Sequence, residues 1–143
     1  MERRRVVITG ISAITPLGLD AASSWEALLA GKSGIDRITL FDTTGYDTHI
    51  AGEVKGFQPE EVIPAKLCRR MDRFVQFAVC SAEQLMKDSG YSIDENNAEN
   101  TGVILGVGLG GLHTIEVFHS KLMESGPSRI SPFFIPMLIS NMA

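Results

Sequence analysis

Two short runs of consecutive apolar, mostly β-branched residues most constrain the fold of this chain. The first is Arg5-Val-Val-Ile-Thr9, which ends at Gly10, and the second is Thr101-Gly-Val-Ile-Leu105. An apolar run without polar alternation is typical of a strand that is buried on both faces of a parallel sheet. Each run is followed by a loop and then by a helical pattern, and this order of elements predicts an α/β fold.

Three segments have the apolar spacing of amphipathic helices together with residues that start or stop a helix. Asp20 and Asp72 are of the type that caps helix N-termini, and Gly31 and Gly90 are of the type that ends helices. The apolar side chains of the first helix, on one side, are Trp25, Leu28 and Leu29. The third helix is predicted over residues 112–123.

The segments between these elements are predicted to form turns, whereas the last segment of the chain is apolar. Thr15-Pro-Leu-Gly18 predicts a turn, and residues 32–64, rich in Gly, Asp and Thr, predict turns with short edge strands. Residues 129–143 are densely apolar, and Pro136 can open a helix over Met137–Ala143. Because a complete domain rarely ends on such a segment, we expect the sequence to be part of a longer protein.

Composition and charge exclude several classes of protein. With 143 residues and 44% hydrophobic residues, the chain can build one globular core. A net charge of -4 argues against a surface built for nucleic acid, and no apolar stretch reaches the length of a membrane span. The apolar run after the basic Met1–Arg5 is too short for a signal peptide, and two cysteines make no disulfide framework. We therefore expect a cytoplasmic protein that has no nucleic-acid or membrane partner.

The glycine-rich loop Gly106-Val-Gly-Leu-Gly-Gly111 matches the GxGxxG pattern of dinucleotide sites, between a predicted strand and a predicted helix. That fingerprint also needs an acidic residue at the end of a following strand, about 20 residues on. Glu124 lies instead at the end of a predicted helix. A nucleotide-binding oxidoreductase stays open as a remote alternative. The other interpretation is that glycine allows close packing or backbone beside a ligand.

The cysteines and histidines give no constellation for catalysis or metal binding. Cys80 lies two turns inside a predicted helix among apolar neighbours, which indicates an inert core thiol. Cys68 has adjacent arginines but no histidine that the sequence pairs with it. His113 and His119 would project about 120° apart on one helix, so that they do not form a metal site, and His49 stands alone.

A dense cationic cluster lies just before or within the first turn of the helix that follows Asp72. Its members are Lys66, Arg69, Arg70 and Arg73. Cations are unfavourable at a helix N-terminus, which suggests a surface kept for an anionic partner. A solvated basic turn explains the same residues equally well.

Taken together, these motifs resemble the opening part of the β-ketoacyl-acyl-carrier-protein synthases of the type II elongating class. The resemblance covers nearly the whole chain, in the family's order, and runs through Arg5-Val-Val-Ile-Thr-Gly10, Thr15-Pro-Leu-Gly18, Trp25-Glu-Ala-Leu-Leu-Ala-Gly31, Gly34-Ile35, Phe41-Asp42, Arg70-Met-Asp-Arg-Phe74, and residues 106–112 and 129–142.

This resemblance implies a thiolase-like fold, a layered α/β/α/β/α body of two related halves, in a homodimer. Residues 1–143 would supply part of the first half, with core strands at about Arg3–Ala13 and Thr101–Val107. The implied reaction is a decarboxylative Claisen condensation that needs no redox, nucleotide or metal cofactor. The family's nucleophilic cysteine and two catalytic histidines would follow Ala143, so we expect no catalytic residue within the chain and no activity from it alone.

The resemblance also implies roles for five residues. Leu109 matches the gating residue of the acyl pocket, and Phe134 matches a pocket residue that crosses the dimer interface. Lys66, Arg69 and Arg70 match the basic patch that meets the acyl carrier protein and its phosphopantetheine arm. A polyketide ketosynthase and a non-catalytic relative of the chain-length-factor type remain alternatives.

Overall fold

The structure is a computed structural model that describes residues 4–143. It divides into two compact units, one of residues 4–58 and 84–91 and the other of residues 59–83 and 92–143. The first residues of the basic N-terminal run, including Arg3 of the first expected strand, lie outside the described residues.

The first unit contains helix α1, Ala21–Leu29, at the place where the sequence predicts it. Asp20 caps this helix, since its Oδ1 accepts a hydrogen bond from the Ser23 amide at 2.7 Å. The predicted turn before it is also confirmed, because Thr15 and Gly18 pair through both backbone amides, at 2.8 and 3.3 Å. The Ser24 hydroxyl lies 2.9 Å from that of Thr15, which ties the turn to the helix.

A short antiparallel hairpin follows in the same unit. Strand β1, Ile35–Arg37, pairs with strand β2, Ile50–Gly52, in a register that sets Asp36 opposite Ala51. Glu53 accepts hydrogen bonds from the Thr39 amide at 2.9 Å and the Thr39 hydroxyl at 2.7 Å, which closes the segment beyond β1. The prediction of turns and short edge strands is therefore confirmed.

Helix α2, Ala65–Cys68, precedes the long helix α3, Arg73–Ser89. Asp72 starts α3, as predicted, because its Oδ1 accepts from the Phe74 amide at 3.3 Å. The chain leaves α3 at Gly90, whose φ of +62° favours glycine. The part of α3 in the first unit holds the N-terminal segment through Asp88, whose Oδ2 accepts from the Ile11 amide at 2.8 Å.

The second unit adds helices α4, Leu112–Ser125, and α5, Phe134–Leu138. The prediction of α4 is confirmed. The prediction of a helix over Met137–Ala143 is wrong in its bounds, because α5 begins at Phe134 and ends at Leu138. Pro136 is the third residue of α5, still within the first turn, where a helix needs no amide donor. A 3-10 turn at Ser140–Met142 follows.

The two apolar runs are not strands in this structure, so that prediction is wrong here. Strand structure in residues 4–143 is confined to β1, β2 and an isolated bridge between Thr15 and Gly18. The side chains of the runs are exposed, for example 93% for Val6 and 98% for Ile104. A buried strand exists only where neighbouring strands take up its backbone hydrogen bonds, and no part of the described chain pairs with either run.

Candidate functional site

All five site residues expected from the sequence lie in the second unit. Lys66 is in α2, Arg69 is its C-cap and Arg70 follows directly. Leu109 is in the glycine-rich loop before α4, and Phe134 is the first residue of α5. The structure thus gathers the basic cluster, the loop and the Phe134 segment in one compact body.

The basic cluster lies where the sequence places it, directly before α3 and, for Arg73, at the first residue of that helix. Lys66 and Arg69 also lie in the last turn and at the C-cap of the short helix α2, where a cation is favourable, and this offsets their unfavourable position before α3. Lys66, Arg69 and Arg70 are all exposed. Within residues 4–143 none of these three side chains forms a salt bridge. Three exposed positive charges therefore remain available for an anionic partner.

Arg70 connects the basic cluster to the segment that carries Phe134. Its guanidinium carbon lies 4.4 Å from the ring centroid of Phe133, a cation–π geometry. Phe134 itself is half-buried and packs on α4 of its own chain, with its ring centroid 5.1 Å from that of Phe118. The two neighbouring phenylalanines thus face different partners.

The glycine-rich loop is tightly packed at its end and open at its beginning. The Gly111 amide donates a hydrogen bond to the Leu138 carbonyl of α5 at 3.0 Å. Gly110 has a φ of +67°, and a Cβ at this position would lie 2.6 Å from the same carbonyl oxygen, so only glycine fits. Gly106 and Gly108 have no heavy atom within 4 Å of such a Cβ.

Leu109 lies between the open and the packed part of this loop, and its side chain is 78% exposed. The close-packing interpretation of the glycines is therefore confirmed at Gly110 and Gly111. The dinucleotide alternative needs a strand before the loop, and residues 101–107 form none. The loop is anchored to α5 and presents one large apolar side chain.

A contact between α3 and α4 escaped the sequence analysis. The Thr114 hydroxyl in the first turn of α4 donates a 2.5 Å hydrogen bond to Oδ2 of Asp72, 42 residues away in sequence. The sequence indicates Asp72 as a helix cap, but no local pattern pairs it with a residue so distant.

Both cysteines lie in the interior of the chain. Cys68 and Cys80 are buried, and the Cys68 thiol donates to the Ile63 carbonyl at 3.4 Å. Burial raises the pKa of both thiols, and the charge of Glu60 raises that of Cys68 further, so both thiols stay protonated at neutral pH. The prediction that Cys80 lies in the core is confirmed, and its low reactivity stays a prediction.

His49, His113 and His119 are exposed, and His49 Nδ1 lies 3.0 Å from the Thr43 hydroxyl. No group of three or more His, Cys, Asp and Glu side chains in residues 4–143 is placed to hold a metal ion. Among the helices of the same residues, none combines the length and apolarity that crossing a membrane requires.

Comparison with known proteins decides the family. The model of the β-ketoacyl synthase N-terminal domain matches residues 3–143. The chain belongs to the β-ketoacyl synthase family. It is 52% identical over 143 residues to 3-oxoacyl-[acyl-carrier-protein] synthase 2 of Coxiella burnetii and 49% identical over 142 residues to that of Staphylococcus aureus.

These alignments cover 100% and 99% of the chain but 34% of each relative, so the chain spans about a third of the length of these ketosynthases. Among solved structures, the ishigamide ketosynthase/chain length factor superposes with a TM-score of 0.79 at 29% identity, over 99% of this chain and 35% of that one. The fold is therefore that of the thiolase-like ketosynthases, of which these residues form a part.

The ketosynthase chain also exposes an apolar groove of about 760 Å³ within the first unit. Its main apolar lining is Ile11, Pro16, Leu17, Trp25, Leu28 and Ile35. The apolar side of α1 predicted from the sequence thus exists, but within the part of the chain that the structure describes it is exposed rather than covered.

Proposed function

We propose that the protein containing these residues is a condensing enzyme of fatty acid elongation, a 3-oxoacyl-[acyl-carrier-protein] synthase. The observation that carries this proposal is the similarity, over the whole chain, to two synthases of that name. Residues 1–143 supply the N-terminal part of the first thiolase-like half. The exposed apolar runs and the apolar groove of the first unit agree with this, because they need cover from further residues.

The proposed reaction joins an acyl group to a two-carbon unit. The acyl group passes from its carrier to a cysteine thiolate, and malonyl-carrier protein then loses carbon dioxide to give a carbanion. That carbanion attacks the acyl-enzyme carbonyl, and the thiolate leaves. The burial of Cys68 and Cys80 and the raised pKa of both thiols support the proposal that the nucleophilic cysteine and the catalytic histidines lie in other residues of the protein.

This chain contributes to substrate choice and docking. Leu109 gates the acyl pocket from a loop that is open on its N-terminal side, and Phe134 lines that pocket across a homodimer interface. Lys66, Arg69 and Arg70 form an exposed basic patch that suits an acidic acyl carrier protein and its phosphopantetheine arm. The whole protein would act in the cytoplasm.

The test is a condensation assay of the full-length protein with acyl- and malonyl-carrier protein. We expect release of carbon dioxide with formation of a 3-oxoacyl-carrier product, and no turnover by residues 1–143 alone. Turnover by the 143-residue chain that is lost on Cys80→Ser would contradict both the proposal and the assignment of Cys80 to the core.

A second candidate is a non-catalytic subunit of the chain-length-factor type. It is favoured by the superposition on a ketosynthase/chain length factor structure, although the identity there is 29%. A residue other than cysteine at the family's nucleophile position, together with no condensation by the full-length protein alone, would select this candidate.

A further inference from the structure

One carboxylate connects the beginnings of two helices in the second unit. Oδ1 of Asp72 accepts from the Phe74 amide at 3.3 Å, which caps α3. Its Oδ2 accepts the 2.5 Å hydrogen bond from the Thr114 hydroxyl, in the first turn of α4. Thr114 is 4% exposed and Asp72 is half-buried, so this hydrogen bond is partly shielded from water.

No side chain caps the N-terminus of helix α4, so the nearby Asp72 carboxylate matters for the stability of its first turn. Its N-cap is Gly111, which has no side chain to accept from the first amides of the helix. A negative charge near a helix N-terminus is favourable, and the Asp72 carboxylate, directly before α3, is hydrogen-bonded to the side chain of the third residue of α4. A Cβ at Gly111 would lie 3.0 Å from Asp72 Oδ2, so the carboxylate lies directly against the end of the glycine-rich loop.

The same loop end is held from a second side by α5. The Gly111 amide donates to the Leu138 carbonyl at 3.0 Å, and the Gly110 backbone packs against that carbonyl. The Asp72 carboxylate on one side and the hydrogen bond to α5 on the other therefore enclose residues 110–111. Leu109 is the next residue toward the open part of the loop, and its position follows from theirs.

We infer that Asp72 is a positioning residue for acyl-chain selection, acting through Thr114 and the beginning of α4 on the placement of Leu109. The role of Leu109 in this inference rests on the proposed function, whereas the positioning of the loop rests only on the contacts described above. Without the bond to Thr114, the first turn of α4 loses its hydrogen bond to Asp72, and the loop end keeps only its hydrogen bond with α5. Leu109 then samples more positions, and an acyl pocket that it gates discriminates less between chain lengths.

Thr114 is the better residue to change, because Asp72 also caps α3. Thr114→Val has a similar shape but no hydroxyl, so it breaks the link and leaves the Asp72 contact with the Phe74 amide in place. Thr114→Ser keeps the hydroxyl and is the matched control. Thr114→Ala is a second route, since it also removes the hydroxyl and leaves the Asp72 cap of α3 unchanged.

The experiment measures two properties of each variant of the full-length protein. The first is hydrogen exchange of peptides spanning residues 106–112, with peptides from 77–83 in α3 as the internal reference. The second is the ratio of kcat/KM for a long and a short acyl-carrier substrate. For Thr114→Val we expect exchange at residues 106–112 to be on the order of tenfold faster, as for loss of a hydrogen bond to a charged group.

The reference peptides should be unchanged, the kcat/KM ratio should shift by roughly threefold or more, and Thr114→Ser should match the wild type. Unchanged exchange and an unchanged ratio in Thr114→Val overturn the inference, and faster exchange with an unchanged ratio overturns its link to acyl-chain choice. If Thr114→Val does not fold, Thr114→Ala is judged by the same two measurements. A wild type without condensing activity refutes the proposed function, and exchange alone then decides whether Asp72 positions the loop.

Discussion

Replacing Gly111 with alanine tests how closely α3, α5 and the glycine-rich loop meet. The new Cβ would lie 2.7 Å from the Met137 carbonyl oxygen and 3.0 Å from Asp72 Oδ2, whereas ordinary contacts begin at 3.4 Å. One of the close atoms is backbone and the other belongs to a carboxylate held by Thr114, so neither moves easily. Overpacking of this kind costs about 1–3 kcal/mol in the free energy of unfolding.

Gly108→Ala in the same loop is the matched control. A Cβ there meets no atom within 4 Å, and the backbone is outside the left-handed region. This variant should be neutral or gain about 0.4–1 kcal/mol, because alanine restricts the unfolded chain. Urea unfolding of the 143-residue chain, followed by helix circular dichroism at one fixed protein concentration, measures both variants. Equal midpoints for Gly111→Ala and Gly108→Ala would refute the packing described for the loop end.

Three further predictions concern other parts of the chain. The Ser23 amide and hydroxyl lower the pKa of Asp20 in the folded chain. The stability that this cap adds should therefore be complete above about pH 4, the pKa of Asp in the unfolded chain, and should fall as the pH drops through the pKa of the folded chain. Denaturation of the wild type and of Asp20→Ala at a series of pH values measures this dependence. Cys68 and Cys80 should react with iodoacetamide far more slowly in the native chain than in urea, because they are buried thiols. Lys66→Glu with Arg69→Glu should slow carrier-protein association in the full-length protein and weaken its salt dependence.

Each of these has a control and a contradicting result. Asp20→Asn keeps an oxygen acceptor that does not titrate, so a wild type that loses no stability relative to it at low pH would contradict the first. Equal alkylation rates in native and unfolded protein would contradict the second. Lys32→Glu reverses an exposed charge in the other unit. If Lys32→Glu and the double variant slowed association equally, Lys66 and Arg69 would not be carrier-binding residues, and the interpretation as a solvated basic turn would be correct.

Helices α1, α3 and α4 could be predicted from sequence because their signals are local. The caps at Asp20 and Asp72 act on amides within three residues, and the apolar spacing of α1, α3 and α4 needs no knowledge of distant chain. The prediction of strands at the two apolar runs was wrong because a buried strand depends on distant chain. Their apolar composition suits strands in the interior of a complete sheet, but in residues 4–143 no strand lies beside either run. Val6 and Ile104 are therefore exposed.

In the candidate site, too, some residues could be indicated from the sequence and the contacts that hold them could not. The family motif indicated Leu109 and Phe134 from the sequence, but their roles remain predictions. The contacts that hold their segments depend on chain that is distant in sequence. The Asp72–Thr114 hydrogen bond and the placement of the Arg70 guanidinium over the Phe133 ring join residues 42 and 63 positions apart. No periodicity or capping pattern encodes such pairs.

The central claim is that these residues form one part of a ketosynthase and that the rest of the enzyme covers their exposed apolar surfaces. Sedimentation equilibrium of the 143-residue chain, with binding of a hydrophobic dye measured on the same sample and on the full-length protein, tests it most directly. We expect the chain alone to bind the dye and to sediment above its 15.5 kDa monomer mass, and the full-length protein to bind little dye. A strictly monomeric 15.5 kDa chain that unfolds cooperatively and binds no dye would contradict the claim.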